Sequence, residues 1–233
     1  MVQQWPTPQP QLTLSFLTRY GLLYSGGASQ GAIYTWNVST GQQLTTMTGH
    51  ADACTAIADV PTQDRVASAS HDRTLRIWDV TSGECETVMR GHSQGIVGLD
   101  LFEERSLLLS ASYDHTARVW SPQVSSSVLV LRHHKTPLVG VRCSQETGDV
   151  LTASLDGVVS LWDLRSPVRP MQSFFVAETV GTQTQASSRP GDPSAAGSFL
   201  RSFDLCVRPE ASRGSRNGDE GIGGGGRRRR SEA

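Results

Sequence analysis

The sequence predicts an all-β protein built from four copies of one supersecondary unit. Three observations carry this. Trp36, Trp78, Trp120 and Trp162 stand 42 residues apart at each step, and self-similarity at a fixed period of this size marks a chain whose units stack on one another. Other residues keep step with these tryptophans. Asp72, Asp114 and Asp156 each lie six residues before a Trp; Ser68, Ser110 and Thr152 lie four before the Asp; His50, His92 and His134 lie 28 before the Trp. No segment carries a sustained helical apolar stripe, whereas Leu75-Arg76-Ile77-Trp78 alternates apolar and polar, as a strand with one buried face does.

The second copy shows the elements most clearly. Cys54–Val60, Arg65–Ser70, Thr74–Asp79 and 84–89 are short runs that suit a pleated surface. Pro61-Thr62-Gln63-Asp64, His71-Asp72-Arg73 and Thr81-Ser82-Gly83 separate them as turns, because Pro, Asp, Ser and Gly supply the backbone angles and local hydrogen bonds that a turn needs. The third and fourth copies follow the same plan. In the fourth, the last strand is expected at about 170–176.

The residues Gly49-His50, Ser68-Ala69-Ser70-His71-Asp72-Arg73-Thr74 and Ile77-Trp78-Asp79, with their counterparts Gly91-His92, Ser110 to Asp114, Val119-Trp120, His134, Thr152 to Gly157 and Leu161-Trp162-Asp163, resemble the WD-repeat family. The resemblance covers roughly residues 12–176. It implies a β-propeller with four strands to a blade, here in four blades at about 12–48, 49–90, 91–132 and 133–176, preceded by an extension over 1–11. It also implies a hydrogen-bonded tetrad in each of the last three blades: His50/Ser68/Asp72/Trp78, His92/Ser110/Asp114/Trp120 and His134/Thr152/Asp156/Trp162. The chemistry of such a set closes on itself. The buried indole N–H needs an acceptor, a hydroxyl can accept it and donate onward to a His nitrogen, and the Asp takes the proton of the other His nitrogen. The first copy departs, with Gln30 at the Asp position, Gly26 at the Ser position, Pro8 at the His position and Asn37 after Trp36. That blade is expected to be the loosest. His133 replaces the Gly of the third Gly-His pair, and Ser121 replaces the Asp after Trp120.

Composition narrows the function. The net charge of −1 gives no global field to favour nucleic acid or an anionic membrane. Apolar runs of a few residues are far short of a membrane span, and the first eleven residues lack the charged and apolar regions of a signal peptide. Cys54, Cys85, Cys143 and Cys206 have no metal-ligand spacing and read as reduced thiols of a cytoplasmic or nuclear protein, where the sequon Asn37-Val38-Ser39 would go unused. No cofactor or metal is expected. His133 and His134, read as adjacent strand residues, would point to opposite faces rather than chelate. Gly26-Gly27-Ala28-Ser29-Gln30-Gly31 fits neither nucleotide-binding fingerprint.

Four visible copies are fewer than the seven blades with which such propellers most often close. Residues 177–198 read as a flexible linker, 199–209 as the first strand of a fifth blade without successors, and 210–233 as a disordered Gly- and Arg-rich tail. The chain therefore reads as part of a larger propeller. The rival reading is a protein whose open blade edges pair with a second copy.

A recurring Ser, His and Asp invites comparison with a hydrolase triad, but a catalytic set occurs once in a domain and exposes its nucleophile. Binding is the better expectation, and the reading is a non-catalytic scaffold for protein partners. By the resemblance, residues beside the turn Asp face outward on one end of the blades: His71 and Arg73, Tyr113 and His115, Leu155 and Gly157, with Asp52 and Gln94 after the Gly-His positions. One motif is sharper. Residues 150–165 look like the WDxR box with which some WD-repeat substrate receptors dock on the adaptor of cullin-4 ubiquitin ligases; Asp156, Trp162, Asp163 and Arg165 match its principal positions. The alternative role for Arg165 is a local ion pair with Asp163. Arg227, Arg228, Arg229 and Arg230 offer at most weak contact with nucleic acid or a nuclear-import signal.

Overall fold

The computed structural model describes residues 7–17, 21–60 and 64–176. Sixteen strands form four antiparallel sheets of four, each from consecutive strands paired in chain order. Blade 1 contains β1 (Gln11–Leu17), β2 (Leu22–Gly27), β3 (Ile33–Asn37) and β4 (Gln43–Met47). Blade 2 contains β5 (Cys54–Val60), β6 (Arg65–Ser70), β7 (Thr74–Asp79) and β8 (Cys85–Arg90). Blade 3 contains β9 (Ile96–Phe102), β10 (Leu107–Ser112), β11 (Thr116–Trp120) and β12 (Ser127–Arg132). Blade 4 contains β13 (Leu138–Cys143), β14 (Asp149–Ser154), β15 (Val158–Asp163) and β16 (Gln172–Phe175). The outer strands start later than expected, β8 by one residue and β16 by two. The linker, fifth-blade strand and tail expected over 177–233 lie outside the described residues.

Burial divides each sheet as a propeller requires. In blades 2 to 4 the inner three strands are largely buried and the outer strand is more exposed: β6 is buried at five of its six positions, β16 at none of its four. Such sheets cannot stand alone, so each buries its faces against its neighbours. The repeated Trp does this directly. Trp78 packs in one cluster with Tyr24, Ile33 and Met47 of blade 1, Trp120 with Ala67, Leu75 and Met89 of blade 2, and Trp162 with Leu109, Ala117 and Leu131 of blade 3. Each indole thus reaches back into the preceding blade, and burying so large a ring contributes about 2–3 kcal/mol.

The innermost strands also meet in order: β1 packs on β5, β5 on β9 and β9 on β13. Among the described residues no comparable contact joins β13 to β1. The four inner strands line a cavity of about 450 Å³. Bonds across the seams fix the blade angles. The Thr55 hydroxyl donates to the Ile96 carbonyl (2.8 Å), the Cys143 N–H donates to the Asp100 carboxylate (2.8 Å), and the Gln145 amide donates to the Leu101 carbonyl (2.6 Å).

Antiparallel pairing decides which loops share an end. Cys54 opposes Ser70, so the β4–β5 connection meets the β6–β7 turn. The His71 N–H donates to the Ala53 carbonyl there (3.0 Å), as Tyr113 does to Gly95 (3.0 Å) and Leu155 to Pro137 (2.9 Å). This end is the loop face. The β7–β8 and β15–β16 connections lie at the opposite end.

Candidate functional site

The loop face rests on networks that begin deep inside each blade. In blade 2 the Trp78 indole N–H donates to the Ser68 hydroxyl (2.8 Å). Ser68 in turn donates to His50 Nε2 (2.7 Å), and His50 Nδ1 donates to Asp72 (2.9 Å). Blade 3 repeats this with Trp120, Ser110, His92 and Asp114 at 2.8 Å for each of the three bonds. The direction of donation follows from Ser spending its one proton on the histidine while accepting the indole N–H. Ser68 and Ser110 are 0% exposed, so no substrate reaches either hydroxyl. The set is a truss for the turn, with no accessible nucleophile.

The turn Asp is where the truss meets the surface. Asp72 also accepts from the Ala51 and Thr74 N–H groups (3.0 and 2.9 Å) and from the Thr74 hydroxyl (2.6 Å). Asp114 does the same with Ser93 and Thr116. Burial raises both carboxyls, but donors from the His and Thr outweigh it and hold them well below the usual carboxylate range. Ser70 and Ser112 add a second tie, donating to the Asp52 and Gln94 carbonyls of the β4–β5 and β8–β9 connections (3.0 and 3.1 Å). Sequence reasoning missed Ser70, Ser112, Thr74 and Thr116 as members of this network. Their signal was present, since each pair recurs at the same 42-residue step.

Blade 4 corrects an expectation. Asp156 does not accept from His134. His134 Nε2 still meets Thr152 (2.7 Å) and Thr152 still accepts from Trp162 (2.8 Å), but His134 Nδ1 meets Ser154 (2.7 Å), which passes its proton to Asp156 (2.6 Å). The cause is legible at position 158. Val158 stands where Thr74 and Thr116 supply a hydroxyl, so Asp156 loses one clamp and keeps a weaker bond from the Val158 N–H (3.4 Å). Burial, helped by His133, lowers His134 to about 4, so this histidine stays neutral.

A second correction concerns His133 and His134. They lie in the connection between β12 and β13, not on a strand, and their rings are 5.9 Å apart. His133 stands edge-on to Trp162 with centroids 6.2 Å apart. In blades 2 and 3 an arginine does that work: Arg76 and Arg118 sit 5.9 and 6.0 Å from the Trp78 and Trp120 rings. A Cβ at Gly49 would lie 2.5 Å from Arg76, and one at Gly91 2.6 Å from Arg118. Blade 4 has Ser160 at the arginine position, which vacates the space that His133 fills.

Blade 1 supplies the third correction. Trp36 donates to Ser25 (2.9 Å), so Ser25 takes the role expected of the Gly26 position. The β2–β3 turn is one residue longer than in later blades, which shifts β2 by one against the 42-residue register. Blade 1 also gains ties unforeseen from the sequence, with Gln9 donating to the Tyr34 hydroxyl (3.2 Å) and accepting from the Ser29 hydroxyl.

On these supports stand the residues nominated for contact. Asp52, Arg73, Gln94, Tyr113 and Leu155 are exposed; His71 and His115 are half-buried. The structure brings His71 and Tyr113 together across the seam between blades 2 and 3, with ring centroids 5.8 Å apart. Gly95 lets them meet, because a Cβ there would lie 3.1 Å from the His71 ring. Arg73, His115 and Gly157 hold the same left-handed turn position, with φ of 71°, 67° and 80°. Arg165 stands apart at the opposite end, 74% exposed, its Nε donating to Asp163 at 2.9 Å. Burial pushes the thiols of Cys54 and Cys143 up to about 12, so neither is a thiolate nucleophile. Among the described residues no cluster of His, Cys, Asp and Glu could hold a metal ion.

Four stacked four-stranded sheets, each later one carrying a Trp-hydroxyl-His chain, invite comparison with known families. The model of the WD domain, G-beta repeat, matches residues 41–79, 83–121 and 125–163, together about half of the chain. The chain belongs to the WD-repeat family. Each matched repeat begins before the outer strand of one blade and ends with the third strand of the next: 41–79 contains β4, β5, β6 and β7. The WD repeat is therefore offset from the blade, and each repeat ties two neighbouring blades through one covalent segment. WD repeats generally serve as scaffolds for protein interactions and are generally non-catalytic. A search of curated proteins gives no match.

Proposed function

We propose that this WD-repeat chain is a non-catalytic scaffold whose protein partner sits on the loop face of blades 2 to 4, over Asp52, His71, Arg73, Gln94, Tyr113, His115 and Leu155. The observation that carries the reading is the His71–Tyr113 pair. Two rings from different blades form one continuous step, each on a turn whose Asp is locked to the core. Side chains held this way lose little freedom on binding, so their contact area is not offset by ordering. Tyr, His and Arg also combine area with hydrogen bonding, as interface anchors do.

The alternative of a cullin-4 adaptor contact through the WDxR box has less support. Arg165 satisfies its Asp163 neighbour, and the other motif positions, Asp156 and Trp162, serve the blade's own network. The two readings use opposite ends of the molecule, so one experiment separates them. Partner capture by the unaltered chain is compared with capture by Tyr113→Ala, Arg73→Ala and Arg165→Ala, with thermal melts run in parallel. Loop-face binding gives a loss of about tenfold or more for Tyr113→Ala, an unchanged melt and no effect of Arg165→Ala. Loss with Arg165→Ala alone would overturn the proposal.

A further inference from the structure

Each repeat Trp is covered by a side chain from the outer strand of the preceding blade. Met47 shares a buried cluster with Trp78, Met89 with Trp120 and Leu131 with Trp162. Among the described residues no blade precedes blade 1. Trp36 is nevertheless only 3% exposed and Tyr34 beside it 8%. Their cluster, Ala32, Tyr34 and Trp36 with Leu23, draws on blade 1 alone among the described residues. Two large rings on a bare sheet face would keep much of their surface in water, so this face is covered.

The chain just before β1 is fastened to the same face. The Gln9 amide donates to the Tyr34 hydroxyl (3.2 Å) and accepts from the Ser29 N–H (3.3 Å). The Ala28 N–H donates to the Pro10 carbonyl (2.9 Å). Trp5 lies four residues upstream of Gln9, a length of chain that spans up to about 14 Å. The centroids of the Tyr34 and Trp36 rings are 6.3 Å apart, so a side chain arriving from Gln9 can meet both.

Spacing agrees. Met47, Met89 and Leu131 each stand 31 residues before their Trp, and 31 before Trp36 stands Trp5. Measured to the innermost strand the interval is six residues for Trp5 and β1, against seven for Met47 and β5, Met89 and β9, and Leu131 and β13. The connection is thus one residue shorter, which offsets the extra residue of the β2–β3 turn.

We infer that residues 1–6 lie on the outer face of blade 1, with Trp5 packed against Trp36 and Tyr34 as the cap of the first blade. An end unit of a stacked array needs a cap, because its outer face has no neighbour. Trp5 is the one tryptophan outside the 42-residue series. Against an indole and a phenol it buries a large area and adds favourable ring-on-ring geometry. Pro6, Pro8 and Pro10 fix φ and reduce the freedom lost when the segment is held. No loop-face residue takes part, so the inference is independent of the proposed scaffold role.

Acrylamide quenching of tryptophan emission in the full chain tests this, because a packed and a free Trp5 move the signal in opposite directions. With Trp5 packed, the unaltered chain has no freely quenched fraction. Trp5→Ala then exposes Trp36, one of the four tryptophans that remain, and creates such a fraction, whereas Trp5→Phe keeps the ring covered. With Trp5 free, one tryptophan in five is quenched in the unaltered chain and Trp5→Ala abolishes that fraction, which overturns the inference. A Trp5→Ala chain whose remaining rings all stay sheltered also overturns it, since another part of the chain is then the cover. Nuclear Overhauser contacts between the Trp5 and Tyr34 rings in the unaltered chain give a check free of any variant. They are expected at every protein concentration; their absence, or their loss on dilution, which would assign the cover to a second copy, overturns the inference.

Discussion

Replacing Ser68 by Ala removes one oxygen and strands two partners. Ser68 is 0% exposed, Trp78 1% and His50 5%, so neither the indole N–H nor His50 Nε2 finds water in exchange. An unsatisfied buried polar group costs about 1–3 kcal/mol, and two of them give about 2–6 kcal/mol. Blade 1 contains the control. Ser25 accepts the Trp36 N–H without a His beyond it, so Ser25→Ala is expected to cost about half as much. Urea unfolding followed by tryptophan fluorescence measures both. A Ser68→Ala loss below about 0.5 kcal/mol, or one equal to that of Ser25→Ala, would refute the claim that the hydroxyl satisfies two partners at once.

Further predictions concern pH, strain and packing. Asp72 and Asp114 have folded-state pKa values below the unfolded value, so the unfolded chain binds more protons as acid is added; their stabilisation is complete above about pH 4 and is lost below it. His134, lowered to about 4 from an ordinary 6.5, acts in the same sense over a higher window: stability falls as pH drops from 6.5 toward 4, and His134→Gln should flatten that slope in urea midpoints. Arg73→Gly and His115→Gly relieve a left-handed φ, and each should stabilise by about 1 kcal/mol, raising Tm by roughly 2–4 °C; Gly157→Ala, at φ 80° with the Val176 carbonyl 3.2 Å from the new Cβ, should lower it. Gly49→Ala drives a methyl into Arg76 and should destabilise by about 1–3 kcal/mol, with Arg76→Ser restoring part of the loss, since blade 4 already pairs a bulky residue with Ser160.

Much of the site was legible because periodicity reports it directly. Residues that recur in step, such as His50, His92, Ser68 and Ser110, occupy equivalent places because equivalent blades impose equivalent surroundings. Reading failed where the step itself slipped. One extra residue in the β2–β3 turn moved Ser25 into the role that a fixed 42-residue count gave to Gly26. It failed again where a change elsewhere redirected a bond: Val158 for Thr left Asp156 under-held, and Ser154 came between it and His134. Position 158 was available to inspection, but its meaning depended on knowing that Thr74 and Thr116 clamp the turn.

By itself the sequence determined that the chain is all-β, that its units repeat about each Trp and that Ser or Thr must satisfy each indole, because alternation, spacing and hydrogen-bond stoichiometry are local properties. The stack decided the rest. Which rings meet across a seam, as His71 and Tyr113 do beside Gly95, depends on how blades rotate against one another. How far an apolar side chain is covered, 65% exposed for Leu14 against 8% for Ile57 at the equivalent position, depends on what other units lay over it. Both are relations between units distant along the chain, and a pattern within one unit carries no record of them.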